Sequence, residues 1–376
     1  MKEFINKYIA AALLLTLSLG VQAQDEVGNP ILTAVPSQLI TPDAKASGMA
    51  DVSAATVPDV YSQHSNPAKY AFIEGKGGVG VSYTPWLSEV VDDVALMYAS
   101  GYYKIGEDNN QAISASVRYF SFGDVPIYFF SGSFMQDVSP HEMSVDLGYS
   151  RKLTETLSGA IVLRYINADY SMPNTTSSTT NMFAADIAIY NESYINIGNS
   201  ESLLGLGINI SNIGSKVIND DSYSYGYLPT NLKLGASLLH PIDEKSTIAV
   251  AMDFNKLLVP TPPSRSEENY DEKYKEYLEL NAFKGIFKSF GDAPGGFSEE
   301  MKEISIAGGL EYTYDNQFKV RTGYSHENKM KGNRRYFTFG AGFRFSSFRI
   351  DASYLLSTAS SNPLNKTLRC SISFNL

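Results

Sequence analysis

The residues most able to suggest chemistry are few, and their spacing argues against catalysis. Gly75-Lys76-Gly77-Gly78-Val79-Gly80 has the glycines and the lysine of a phosphate-cradling loop. Such a loop needs Ser or Thr directly after its lysine and a helix opening behind it. Here Val81 and Ser82 lead instead into a strand pattern, so nucleotide binding is rejected. The four histidines, His64, His141, His240 and His326, are scattered without the spacing of a metal site. No Gly-x-Ser-x-Gly elbow is present, although a serine–histidine pair that meets only in space would leave no mark on the sequence. The expectation is no catalytic residue, no metal and no cofactor.

What stands out is charge at alternate positions. Arg118, Arg164, Lys233, Lys319, Arg321, Arg344, Arg349 and Arg369 fall on the polar parity of strand-like runs, with Asp146, Asp186, Asp253, Glu311 and Asp351. Each would cost several kcal/mol if it faced hydrocarbon, and each can find a partner if it faces an enclosed interior. Two readings follow, a structural ion-pair lattice filling a lumen or an ion-selective pore.

The runs that carry these charges alternate strictly. Ile113, Ala115, Val117 and Tyr119 enclose Ser114, Ser116 and Arg118; Leu204, Leu206, Ile208 and Ile210 enclose Gly205, Gly207 and Asn209. Phe337, Phe339, Ala341, Phe343 and Phe345 repeat the pattern against Thr338, Gly340, Gly342 and Arg344. Alternation of this kind puts grease on one face and polar groups on the other. Roughly fourteen such strands follow Val79, with twelve or sixteen as alternatives. The connections alternate too. Segments 105–111, 151–156, 240–245, 315–317 and 346–347 are short, with 191–202 a moderate exception, whereas 122–140, 168–181, 212–229 and 255–303 are long. Short periplasmic turns opposite long external loops characterise outer-membrane barrels. The fold class expected is all-β, a transmembrane antiparallel β-barrel of about 14 strands.

Composition agrees. Twenty-five tyrosines and 20 phenylalanines against one tryptophan suit strands with aromatic girdles, and the formal net charge of -10 gives no attraction for nucleic acid. Lys2 and Lys7 flank an apolar run from Ile9 to Leu19 that is too short to span a bilayer, and Val21-Gln22-Ala23 follows. Residues 1–23 are therefore expected to be a secretory signal. Cys370, the one cysteine, can form no disulfide within the chain. The expected organisation is a signal over 1–23, a plug segment over 24–75 and the barrel over 76–376.

An ordered set of motifs carries a resemblance. Pro30-Ile31-Leu32-Thr33-Ala34-Val35-Pro36 precedes Thr41-Pro42-Asp43-Ala44-Lys45-Ala46-Ser47-Gly48-Met49, and Asn66-Pro67-Ala68 opens Asn66 to Phe72. Ser82-Tyr83-Thr84-Pro85-Trp86-Leu87, Gly101-Tyr102-Tyr103-Lys104-Ile105 and Arg118-Tyr119-Phe120-Ser121-Phe122-Gly123 complete it. The set resembles the PorV (LptO) family of the type IX secretion system of Bacteroidetes, and Asn-Pro-Ala is similar to the wider FadL-like transporter group. Ser65 stands where the family pattern has a tryptophan. The resemblance implies a FadL-like barrel with an N-terminal plug in a Gram-negative outer membrane. It implies a non-enzymatic role that binds the C-terminal domain of secreted cargo and carries it from the translocon barrel to a surface sortase and attachment complex. Alternatives are a FadL-like conduit for hydrophobic small molecules and a lipopolysaccharide deacylase.

Candidate contact residues lie in the long loops. Ile127, Tyr128, Phe129 and Phe130 form an aromatic cluster, which marks contact with a partner or folds back over the rim. Trp86 belongs to a partner-binding loop or to the interfacial belt. In 255–303, Tyr270, Tyr274, Tyr277, Leu278 and Asn281 recur at helical spacing, and Phe283, Ile286, Phe287 and Phe290 follow. That pattern predicts an amphipathic helix capping the barrel mouth or docking a partner.

Overall fold

The computed structural model describes residues 28–86, 93–106, 108–170, 179–219, 224–263, 269–359 and 365–376. The signal read at 1–23 lies outside them. Fourteen antiparallel strands close into one barrel in chain order. They are β1 (Gly77–Pro85), β2 (Val94–Ile105), β3 (Gln111–Phe122), β4 (His141–Lys152) and β5 (Leu157–Asp169). Next come β6 (Thr179–Ile197), β7 (Ser200–Gly214), β8 (Asn231–Pro241), β9 (Ser246–Leu257) and β10 (Ser305–Tyr314). The last are β11 (Phe318–His326), β12 (Arg335–Phe345), β13 (Phe348–Ser357) and β14 (Leu368–Asn375). β1 pairs with β14 from Gly78↔Asn375 to Tyr83↔Cys370, which removes the sheet edge.

The alternation decides which way each side chain points. In β3, Ile113 and Val117 are exposed on the outside while Ser114, Ser116 and Arg118 are buried inside. Leu147, Leu163, Phe183 and Val320 stand equally exposed on other strands. Such a surface would be untenable in water and is suited to acyl chains. The moderate connection expected at 191–202 shrinks to 198–199, because β6 and β7 extend to meet at a hairpin. All long connections therefore gather at one end of the barrel and all tight turns at the other.

β6 and β7 carry the one register shift in the wall among the described residues, at Ala185/Ile187. Ile187 pairs with Ile210 and Ala185 with Ile213, so β7 holds two residues, Ser211 and Asn212, opposite Asp186. Asn212 takes φ 59, which asparagine tolerates better than most residues.

The segment before β1 fills the lumen. It begins at the long-loop end, where the Asn29 amide donates to the Met330 carbonyl and Ala34 to Tyr227. It then descends through two one-turn helices, α1 (Ala44–Ser47) and α2 (Ser62–Ser65). Asp43 caps the first, its Oδ1 accepting from the Ala46 amide at 2.8 Å. At the tight-turn end, the Lys76 amide donates to the carbonyl of Leu376, the last residue. Asn66 ties the segment to itself and to the wall, its Nδ2 donating to the carbonyls of Ala54 and Ile189 at 2.9 and 3.0 Å, while Oδ1 accepts from the Ala68 amide. Pro67 opens the short 3-10 turn that follows, and Ala68 is fully buried in it. Gly207 is what lets this contact form, since a Cβ there would stand 2.1 Å from the Ala54 oxygen.

The loop between β9 and β10 contains α3 (Tyr270–Glu279), α4 (Ala282–Lys288) and α5 (Phe297–Lys302). The single helix read from Tyr270 to Asn281 is broken: Leu280 is extended, and Asn281 caps α4 by accepting from the Phe283 amide at 2.8 Å.

Candidate functional site

The inward charges sort into ion-paired clusters and anchors for the segment. Arg164 bridges Asp146 and Asp186 at 2.8 and 2.9 Å, with Asp186 wholly buried. Glu311 takes Lys319 at 2.7 Å and Arg321 at 2.6 Å, and Asp351 takes Arg321 at 2.7 Å and Arg349 at 2.8 Å. Charges in low dielectric have to be matched in this way, because an unpaired one costs several kcal/mol. Among the described residues Arg118 forms no ion pair within 4.0 Å, and it donates to the Ser37 and Ile40 carbonyls instead. Asp253 accepts from the Ser53 and Ala54 amides at 2.8 and 3.0 Å, and Lys233 reaches Ser53 Oγ at 3.5 Å. Arg344 departs from the expected lattice. It lies exposed at the end of β12, with Nε donating to the Ser346 carbonyl, because its strand turns into water one residue later.

Sequence reasoning missed the acids of the segment. Asp51 pairs with Arg369 at 3.0 Å and accepts from Tyr336 Oη at 2.6 Å, and Lys45 pairs with Asp59 at 2.5 Å. A signal existed. Eight cations against five anions on the inward parity left a surplus that some other part of the chain had to meet.

Above the segment, at the long-loop end, lies a cavity of about 580 Å³. Gln38 to Thr41, Asp51 and His64 form its floor. Trp86, Phe120 and Phe122 line one side, and Asn209, Asn231, Lys233 and Asn255 another. Trp86 turns inward rather than standing in an interfacial belt: its ring meets Phe120 edge-on at 6.3 Å, and the Arg369 guanidinium lies 5.8 Å from its centre. Part of the roof is latched to the rim. Lys256 reaches Glu300 and Glu303 at 3.0 and 2.7 Å, and Lys331 reaches Glu299 and Glu303 at 2.5 and 3.0 Å. Beside this latch, burial first, and then Glu300 and Glu303, push the Asp292 carboxyl up to about 6.

Apart from Trp86, the aromatic candidates stand outside this cavity. Val125–Tyr128 and Phe134–Val138 form a hairpin whose turn holds Phe129 and Phe130 out in solvent, the latter fully exposed. Tyr128 leans on Phe134 with ring centres 6.0 Å apart, and Ile127 is half-buried. The rings do not fold back over the rim. On α3, Tyr274 stacks between Tyr270 and Tyr277 at 5.5 and 6.0 Å, and Leu278 is half-buried. On α4, Phe283 and Phe287 contact each other at 5.3 Å and are both exposed. These clusters are exposed apolar patches at the long-loop end of the barrel. Among the described residues, no cluster of His, Cys, Asp and Glu could hold a metal ion.

The sequence pattern of a family described as type IX secretion system protein PorV matches residues 22–264. The chain belongs to the PorV family. No match among curated proteins was found. Among solved structures, this PorV-family barrel is similar to a TodX monoaromatic hydrocarbon channel carrying the deltaS2S3 mutation, at 13% identity and TM-score 0.52, over 90% of this chain and 100% of that one. The Pseudomonas putida toluene transporter TodX matches at 12% and 0.51, over 93% and 99%. These likenesses show a shared FadL-like barrel fold. Barrel and family together assign the chain to the outer membrane, where barrels of this kind set long loops outside and tight turns in the periplasm. Membership of a secretion family points to a non-enzymatic protein with secretion-system partners.

Proposed function

We propose that this PorV-family protein is a plugged receptor that takes secreted cargo by its C-terminal domain, collects it from the translocon barrel and delivers it to the surface sortase and attachment complex. Residues 24–75 act as the plug, and the host is a Bacteroidetes-like bacterium. The observation that carries this reading is the opposition of the two ends. The lumen is filled by a segment pinned through Asp51, Asp253 and Arg118, so nothing the size of a protein passes through it. The outer mouth offers exposed rings at Phe129, Phe130, Phe283 and Phe287, and a cavity deep enough to accept a projecting piece of a partner. A conduit for hydrophobic molecules would need an apolar path beside the plug. The cavity here is mixed, with Lys233, Asn231, Asn255 and Arg369 in its walls beside Ile40, Trp86, Phe120 and Phe122.

The test is deletion of the gene, followed by fractionation of secreted proteins. Unprocessed cargo accumulating in the periplasm is the expected result, restored by the wild-type gene and not by one lacking 125–138. Normal surface display with impaired uptake of a lipid or hydrocarbon would overturn it.

A further inference from the structure

A second groove, of about 910 Å³, lies on the outside of the wall where the β9–β10 loop, the lid of the barrel mouth, overhangs β7. Its wall is Ile213. The bulge keeps that residue outward: Ile210 pairs with Ile187 and Ile213 with Ala185, both on the lipid-facing parity of β6, while Ser211 lines the inner cavity. Ile213 thus continues the lipid-facing stripe of Leu206 and Ile208 up to the external rim. The roof consists of Leu278 and Leu280 at the α3–α4 break, with Phe283 and Ile286 of α4. This roof is fixed from its other side. Gly285 is buried against Pro260 and Tyr227, where a Cβ would stand 2.8 Å from Pro260 Cγ. Lys216 donates to the carbonyls of Tyr277 and Leu278 at 3.3 and 2.6 Å. α4 carries exposed Lys284 and Lys288 and no acid, whereas at the groove's edge Lys275 is matched by Glu279, 4.0 Å away.

We propose that this groove holds an acyl chain of an anionic outer-leaflet lipid, with the lysines of the lid at the level of its phosphate. The apolar side of the groove continues the hydrocarbon wall through Ile213 to Leu278, Leu280, Phe283 and Ile286, and it is filled by hydrocarbon more favourably than by water. Lysines beside exposed phenylalanines are the side-chain pairing that settles at a headgroup boundary.

The full chain in lipid nanodiscs provides the test. Trp86 is the one tryptophan, so W86F with F283W puts a single reporter in the groove. Phosphatidylglycerol brominated on its chains should quench F283W fluorescence at least twofold, as it should for F339W on the wall, and leave F130W at the hairpin tip unchanged. Brominated phosphatidylcholine should quench F283W less, and K284E/K288E should erase that difference. F283W behaving like F130W would overturn chain binding; equal quenching by both lipids would overturn the phosphate contact. Native mass spectrometry of the otherwise unaltered chain gives an independent reading. I286E should retain severalfold less phosphatidylglycerol, and equal retention sinks the site. Cargo secretion does not enter these outcomes, so the secretion reading stands or falls separately.

Discussion

The two ends of this barrel are built on opposite principles. At the tight-turn end the connections are minimal: hairpins such as 346–347 and 198–199 reverse in two residues, and the Lys76 amide donates to the Leu376 carbonyl. At the external end the strands give way to a latched lid, an aromatic hairpin and a cavity. Burial explains the difference. Inside, each charge must find a partner or cost several kcal/mol, so the sequence is constrained by the fold. Outside, exposed rings gain nothing from the fold and are free to answer to whatever binds there.

That contrast can be broken from either side. The largest effect is expected at Arg164: R164M leaves Asp146 and Asp186 buried and uncompensated, and should cost about 3–5 kcal/mol of stability in urea unfolding. If the barrel unfolds at the wild-type midpoint, the lumen is wetter than described. G207V should come next. Its side chain would collide with the Ala54 carbonyl 2.1 Å from the Cβ position and push the plug away from β7, costing about 1–3 kcal/mol. Protease sensitivity between 50 and 70, at unchanged barrel content, is the measurement. F129S/F130S sharpens the comparison by doing the reverse. Stability should stay within about 0.5 kcal/mol, while affinity for a purified cargo C-terminal domain falls about tenfold, or roughly 1.4 kcal/mol. Unchanged affinity would remove the hairpin from the contact surface.

The smallest effect concerns pH. The latched lid holds Asp292 near 6 against an ordinary 3.8, so the closed lid binds a proton more tightly than an open one. This group therefore favours closure below about 4, and its contribution is lost as pH rises through about 6. The nearby Glu299 works in the opposite sense. Although burial tends to raise it, Lys331 and the Gly295 amide hold it below its usual value, so its contribution is lost as pH falls through the acid range. Hydrogen exchange of lid amides, measured from about pH 3.5 to about 7.5, should lose its component between about 4 and about 6 in D292N.

The wall was legible because lipid and lumen impose opposite demands on successive residues, and runs such as Ile113 to Tyr119 record that demand directly. Four things escaped for physical reasons. The plug has no period, since it touches the wall on all sides, so Asp51 and Asp59 carried no mark of their partners. The bulge at Ser211-Asn212 spends an extra residue and breaks the parity on which strand reading depends. Arg344 obeys the parity but sits past the depth at which parity matters. The helix after Asn269 was visible in its tyrosines, yet its break at Leu280 was not, because Leu280 fits the helical apolar spacing and only its backbone departs.

The position of Tyr61 has a bearing on how the molecule is put together. Its hydroxyl lies within 2.9 Å of the Val81 carbonyl and 2.8 Å of that of Ile372, one on the first strand and one on the last. Gly80 leaves the space its ring occupies. A residue that precedes every strand in the chain thus braces the joint between the first strand and the last. One phenol hydroxyl fastens the inner segment to both sides of the seam at which the sheet becomes a cylinder.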